Sequence, residues 1–398
     1  MTEQADLVVV GAGTLGGWAS VFAAGAGVGR VVVLESGQAG MGASSRAAGI
    51  VRAQGGTPAT VALGRWSIDF YRRQAATYGT DSGFRELGYL ILAITEADEL
   101  AGRERVLMQH AQGLGDVRWL AVPEATSIAR TLAPDGHRGG SFRAADGHID
   151  PPRNVRAYSL AMQREGVELR EGVAFTGLRT NGGGRVTAVQ TSSGPIQTER
   201  LLLTGGPSLR AVGELAGVRI PVGAARHTVA VLEPHPAFTA VQPMVFDIAA
   251  GLYWRTEEGG LLFGWSDPDE APGEAREVDW AAYDRYRARL AGYVPVTRDL
   301  GLRRIWAATI DYTPDHAPII GPAIRPDGSR LEGVTVAAAG GHGMMWGPGI
   351  ARAAADLVLN GATAVLDVAD LGQDRFDEHG RSRMAKDPVT LPYPAGSD

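Results

Sequence analysis

At 398 residues, the chain is long enough for two cores, and its 44% hydrophobic content is that of a globular protein. A net charge of −6 without any basic run argues against a nucleic-acid partner. The sequence has no cysteine, which excludes disulfides, thiolate metal sites, cysteine nucleophiles and thioether links to a cofactor; Lys386 is its single lysine, so Schiff-base chemistry in the body is excluded as well.

The first element read in chain order is also the most informative. Leu7–Val10 is a short β-branched run, read as a buried strand. Gly11-Ala12-Gly13-Thr14-Leu15-Gly16 follows at once, then a helical stretch from about Thr14 to Ala24, then a second strand, Val31–Leu34, ending on Glu35. This is a βαβ unit with a dinucleotide fingerprint. Gly11 permits the tight turn, Gly13 lets a pyrophosphate approach the backbone, and Gly16 lets the helix pack on the sheet. The helix N-terminus offers N–H groups to phosphate. Glu35 lies 19 residues past Gly16 (35 − 16), where a carboxylate accepts from ribose hydroxyls. The motif alone does not separate NAD from FAD.

Ser36 to Arg52 is rich in small residues, and Ser44, Ser45 and Arg46 add donors suited to phosphate or ribitol oxygens; an ordinary polar turn is the competing reading. Val61–Tyr78 reads as an amphipathic helix with core aromatics, Phe84–Thr95 as two strands around Gly88, and Glu96–Gln112 as a helix. Asp150-Pro151-Pro152 marks a break, followed by a helix over Arg153–Arg164. Strands are expected at Val167–Val173, Val186–Thr191 and Ile196–Thr204, the last leading into Gly205-Gly206. Alternation in His227–Leu232 and Leu252–Trp265 predicts a second sheet, and Asp279–Leu290 a helix. Leu331–Gly361 reads as strand, glycine loop and helix, with Gly341-His342-Gly343 opening the helix. From Arg375 onward the chain reads as a polar, proline-rich surface tail. No run approaches the ~18 apolar residues of a membrane span, the histidines show no metal-ligand spacing, and the expected location is the cytoplasm.

Four separated stretches together resemble the D-amino acid oxidase superfamily of FAD enzymes, most closely its sarcosine/glycine oxidase and dimethylglycine dehydrogenase branch. They are Val8–Glu35, Gly42–Arg52, Val186–Pro207 and Tyr312–Gly361. The resemblance implies an α/β fold: a discontinuous Rossmann-like FAD domain over about 1–80, 150–220 and 323–398, and an α+β substrate domain over 81–149 and 221–322 on a mixed, largely antiparallel sheet. It implies FAD held by Gly11, Gly13, Thr14, Leu15 and Gly16 at the pyrophosphate and by Glu35 and Ser36 near the ribose. Ser44, Ser45 and Arg46 would lie beside the diphosphate and flavin, Val173 at the adenine, and Gly205 and Gly206 along the ribityl chain. Gly341, His342, Gly343, Met344 and Met345 would lie at the flavin pyrimidine edge.

Departures from the family pattern are informative. The cysteine that tethers flavin in some relatives falls near Ala308, and no histidine stands in the 44–46 segment, so noncovalent FAD is expected. Of the carboxylate clamp in sarcosine oxidases, Arg52 matches one arginine, while the partner positions are Gly49 and Met345. The oxygen-activating lysine of some relatives aligns with Leu262.

The implied reaction is oxidation of a C–N bond in an amine or amino acid by hydride transfer to flavin. His342, Arg52, Tyr253 and His227 are the catalytic candidates; for His342, bracing of its loop is the alternative, and for Arg52 a structural ion pair. Arg255, Trp254, Trp265, Met345 and Trp346 join Arg52 as expected substrate contacts, with a core role for Trp265 the competing reading. The acceptor is oxygen or another oxidant, and a homo- or hetero-oligomer is compatible. A dehydrogenase subunit, or a non-catalytic FAD-binding subunit, are the alternative functions.

Overall fold

The computed structural model describes residues 3–384 and 386–387. With Val31–Glu35 beside it, the strand Leu7–Val10 sits at the middle of a six-stranded sheet. Its order runs Glu168–Glu171, Val31–Glu35, Leu7–Val10, Leu201–Leu203, Arg330–Ala338, Ile319–Ile324; the first five are parallel and the last is antiparallel. The strands are continuously apolar because both faces are covered. Leu7, Val9, Val31 and Val33 point to one side, where the helices Thr14–Gly25, Pro151–Arg164 and Gly347–Asn360 pack. Val8, Val10, Val32 and Leu34 point to the other, against a four-stranded layer that supplies Phe175, Val186, Val189 and Ile196. Full burial of each such side chain contributes about 1.5–3 kcal/mol.

A second sheet has eight strands in the order Leu302–Tyr312, Gly223–Leu232, Gly260–Trp265, Leu252–Glu257, Met244–Asp247, Tyr89–Leu92, Gly140–Arg143, Arg118–Leu120. All neighbouring pairs are antiparallel except Met244–Asp247 with Tyr89–Leu92. The period of two divides its side chains. Leu252, Trp254, Leu261, Phe263 and Trp265 pack against Tyr286 and Leu290 of the helix Trp280–Tyr293, whose Asp279 cap accepts from Ala282 N. Tyr89, Val229, Phe246, Tyr253 and Leu262 form the opposite face. Between that face and the parallel sheet lies the main cavity.

Several expected elements change. Ile196–Thr204 is not one strand: Ile196–Gln197 belongs to the four-stranded layer and Leu201–Leu203 to the parallel sheet. The helix expected from Arg153 starts at Pro151, because proline suits the first helical turn and Asp150 caps it. The boundary expected at 322/323 falls inside the strand Ile319–Ile324, which pairs with Arg330–Ala338. The segment from Arg375 runs largely on the surface over its described part, as expected, but two of its side chains are buried anchors. Arg375 is 2% exposed and grips Asp315, also 2% exposed, through Nε and Nη2 at 2.7 and 3.0 Å. Asp387 is buried and accepts from Gly56 N and Thr60 Oγ1 at 3.1 Å each. The prolines of the tail lie outside the described residues. Among the described residues no helix is long and apolar enough to cross a membrane.

Candidate active site

The cavity encloses about 500 Å³ and runs from the first βα turn to the inner face of the eight-stranded sheet. At its far end Gly11 adopts φ +95°, a conformation glycine tolerates. Gly16 does not line the cavity; a Cβ there would lie 1.9 Å from Gly11 O, so its role is helix packing. The N-cap of the helix Thr14–Gly25 is Gly13, which brings no side chain of its own, and the first turn holds no acid, so the positive dipole end faces the cavity. Ser44 Oγ accepts from Thr14 N at 2.9 Å and tethers the 40–44 turn to this helix. Glu35 is oriented by two backbone donors: Oε2 accepts from Ala12 N at 3.0 Å and Oε1 from Gly37 N at 2.9 Å. Its carboxylate lines the cavity with remaining lone pairs for hydroxyl groups. Val173 lines the wall too, but its N–H donates to Glu35 O at 2.9 Å, so its backbone can offer an adenine ring only an acceptor.

The near end is built by the glycine loop and the second sheet. Asp311 Oδ2 accepts from Ala339 N and Gly340 N at 2.9 Å each, fixing the loop that carries His342. Burial raises the Asp311 pKa. His342 is 4% exposed, stacks on Trp346 at 4.3 Å, and has no hydrogen-bond partner at Nδ1 among the described residues. Burial pushes its pKa well down, so the ring is neutral. Arg52 is 2% exposed; its Nη1 donates to Gln54 O, and the guanidinium lies over the rings of Trp346 and Tyr89 at 5.7 and 6.0 Å. Gln54 is held in turn by Tyr89 O and by Asp146, at 2.9 and 3.1 Å.

Across from these stands a hydrogen-bonded pair. His227 Nε2 is 2.7 Å from Tyr253 Oη, and the rings stack at 5.7 Å. The two residues are not on adjacent strands. Between Gly223–Leu232 and Leu252–Glu257 runs Gly260–Trp265, and Gly264 pairs directly with Tyr253. A Cβ on Gly264 would sit 2.1 Å from Tyr253 Oη. The glycine therefore lets the phenol lean across an intervening strand to reach the imidazole. Burial lowers the His227 pKa to about 4 and raises that of Tyr253, so both are neutral at pH 7.

The sequence-predicted residues separate cleanly. Gly11, Gly13, Thr14, Leu15, Glu35, Ser36, Ser44, Val173, Gly205, Gly206, Gly341, His342, Gly343, Met344 and Met345 line the cavity, as do Arg52, His227 and Tyr253. Ser45 and Arg46 do not; they line a second cavity, and Arg46 is turned toward the strand at Ala307, where Trp306 Nε1 donates to Arg46 O at 2.8 Å. Arg255 also lines that second cavity and is ion-paired with Glu257, so it is not a contact of the main site. Trp254 and Trp265 point to the opposite face of the sheet, stacked on Tyr293 at 5.3 Å and Tyr286 at 5.2 Å. Trp346 is fully buried behind His342. Gly49 has φ +78° and a Cβ there would lie 2.1 Å from Ile149 O, so this backbone admits no arginine at that position. Tyr89, Phe246 and Asp311 line the cavity without having been singled out in the sequence. Nothing local marks them; strand order brings them there.

The sequence profile described as FAD dependent oxidoreductase matches residues 6–357. The chain belongs to the FAD dependent oxidoreductase family. FAD is thus the cofactor, and the site fits it: a helix N-terminus that opens on glycine, an oriented acid, and a buried His342 nitrogen without a partner among the described residues. The chain is 29% identical over 389 residues to 4-methylaminobutanoate oxidase (formaldehyde-forming) from Paenarthrobacter nicotinovorans, covering 94% of this chain and 46% of that protein. It is 26% identical to sarcosine oxidase subunit beta from Rhodobacter capsulatus, covering 94% and 89%. The fold is shared with L-proline dehydrogenase from P. horikoshii, with a TM-score of 0.86 at 24% identity over 96% of this chain and 100% of that one. The oxidoreductase spans a little under half the length of the first curated relatives it matches.

Proposed function

We propose that this oxidoreductase removes a hydride from the carbon beside nitrogen in a secondary or N-methylated amine, most suitably an N-substituted amino acid. The observation that carries the reading is the neutral His227–Tyr253 pair facing the cavity opposite the glycine loop. An amine must lose its proton before its α-carbon yields hydride. Tyr253 Oη receives that proton while its own passes to His227 Nε2, 2.7 Å away. Bound FAD supplies the electron sink that accepts the hydride. The resulting iminium leaves and adds water, giving a shorter amine and a carbonyl compound. The names of relatives that act on methylamino acids support this substrate class.

The chain's own residues bind, orient and dry the site. Gly13, Thr14 and Leu15 at the helix N-terminus, with Ser44 bonded to Thr14 N, hold the diphosphate, and Glu35 the ribose. In this reading the FAD unit takes residues about 1–80 and 150–220 and the chain from about 319, where the strand Ile319–Ile324 joins the parallel sheet, and holds the cofactor without a covalent bond. Arg52 receives a substrate carboxylate in a bidentate grip, held on its aromatic shelf of Trp346 and Tyr89. With Gly49 unable to carry a second cation and Met345 apolar, the clamp is weaker than an arginine–lysine set, which suits bulkier or less charged amines.

A second reading concerns the acceptor. Leu262, 2% exposed and packed with Tyr89, Val229, Phe246 and Tyr253, stands where the resemblance places the oxygen-activating lysine of some relatives, so that ammonium is replaced by an apolar side chain. This favours electron delivery to a dye-like, quinone or protein acceptor over oxygen. The test of both is turnover of a panel of N-methyl amino acids and other secondary amines, followed by dye reduction and by oxygen uptake. Dye-linked turnover that Tyr253→Phe reduces strongly supports the reading, and faster oxygen uptake than dye reduction overturns its acceptor part.

A further inference from the structure

The hydrogen-bonded chain does not stop at His227. Its Nδ1 lies 2.8 Å from Ser266 Oγ, and Ser266 Oγ lies 2.6 Å from Tyr312 Oη. Both residues are 1% exposed, and neither lines the cavity. Nothing in the reaction above uses them, yet four neutral groups are joined in one line: Tyr253, His227, Ser266, Tyr312.

We propose that Ser266, backed by Tyr312, is a positioning residue that sets the tautomer of His227 and so the direction in which Tyr253 can pass a proton. This rests on the amine-oxidising reading. A neutral imidazole carries one N–H. To take the phenolic proton at Nε2, His227 must hold its own proton at Nδ1, and that proton needs an acceptor. Ser266 Oγ is placed to be it, while the serine hydroxyl donates onward to Tyr312 Oη. When the amine's proton moves to Tyr253 Oη and the phenolic proton to Nε2, the charge ends on an imidazolium whose Nδ1–H is already bonded. With a methyl group at 266, the same step leaves a buried N–H without a partner. The opposite polarity, Tyr312 to Ser266 to Nδ1, places the imidazole proton on Nε2 and turns the Tyr253 proton toward the cavity. A hydroxyl supports either polarity, so the line can reset after each turnover.

Other groups face this line. Tyr89 and Arg255 act on Tyr253, and Asp311, Glu270 and Tyr286 act on Tyr312. None of them is altered by a change at 266, so a shift caused there is traceable to the hydroxyl.

The experiment is anaerobic flavin reduction by the best amine, from about pH 6 to about pH 10, for wild type, Ser266→Ala, Ser266→Thr, Tyr312→Phe and His227→Asn. FAD content and circular dichroism report integrity. Ser266→Ala is expected to reduce the rate about tenfold at neutral pH and to move the acid limb upward by about one pH unit, converging with wild type where the amine arrives unprotonated. Ser266→Thr restores the profile, and Tyr312→Phe shifts it in the same direction by less. If Ser266→Ala loses FAD, Tyr312→Phe carries the test. A profile unchanged in Ser266→Ala and Tyr312→Phe, with His227→Asn shifted, overturns this inference and leaves the amine-oxidising reading standing. An unshifted His227→Asn removes the base role of the pair and this inference with it.

Discussion

Gly264→Ala is the sharpest perturbation of the site, because it adds one methyl group outside the cavity and acts only through Tyr253. The new Cβ would lie 2.1 Å from Tyr253 Oη, 2.4 Å from Cζ and 2.9 Å from Cε2. Ordinary contact begins at 3.4 Å, so the phenol must retreat by roughly 1.3 Å (3.4 − 2.1). The 2.7 Å bond to His227 then lengthens by up to that amount, to at most about 4 Å, and loses its alignment. Overpacking of this kind costs about 1–3 kcal/mol of stability, which a chain with these cores should survive. Loss of a positioned proton acceptor costs on the order of 10²- to 10⁴-fold in rate. The assay is stopped-flow flavin reduction at neutral pH, with FAD occupancy measured alongside. The expected result is full FAD content with a rate close to that of Tyr253→Phe. A Gly264→Ala enzyme with wild-type reduction kinetics would refute the reasoning that this contact is needed.

Glu35→Ala should weaken FAD binding by about 10- to 100-fold, the worth of hydrogen bonds to a charged group, measured by equilibrium titration of the apoprotein. Arg375→Met should cost about 3–5 kcal/mol, since it strands the buried Asp315 carboxylate; an unchanged urea midpoint would contradict the pairing. Acid should destabilise the fold. Burial pushes His148 and His227 down to about 4 and His316 to about 3, from 6.5. The folded state therefore declines protons that the unfolded chain accepts. This contribution is complete above pH 6.5 and is lost as pH falls toward 4, with Asp146 and Asp311, raised by burial, opposing it in part. Urea midpoints at several pH values check the slope, and a flat profile over that window contradicts it. Acid precipitation should release all the flavin into the supernatant, as expected of a chain with no cysteine and with alanine at 308; yellow pellet would show a covalent bond.

The parts of the molecule legible in the sequence are those where chemistry is local. The strand, glycine turn, helix and acid of Leu7–Glu35 lie within one βαβ unit, and each residue does its work against near neighbours. The glycine loop at 340–343 is similar in following its strand, although it does not open the helix as expected: Met344–Trp346 intervene and the helix starts at Gly347. What escaped depends on strand order. Tyr253 and His227 were singled out separately, but their bond needs an intervening strand with glycine at 264. Trp254 was misplaced for a reason present in the sequence: in a strand, neighbours alternate, and Tyr253 toward the cavity puts Trp254 on the other face, while Trp265 takes the core role that was its competing reading. Arg46 looked like a phosphate donor from its serine neighbours, yet the turn directs it to the strand at Ala307. Arg375 read as surface because its partner, Asp315, is 60 residues away.

The measurement that tests the account most directly is an anaerobic titration of the purified FAD-loaded protein with secondary amines and N-methyl amino acids, followed at the flavin's visible band. The account predicts that one of them bleaches the flavin stoichiometrically and yields one equivalent of dealkylated amine, with Tyr253→Phe slowed under the same conditions. A bound flavin that no amine in the panel reduces, although dithionite does, would contradict it.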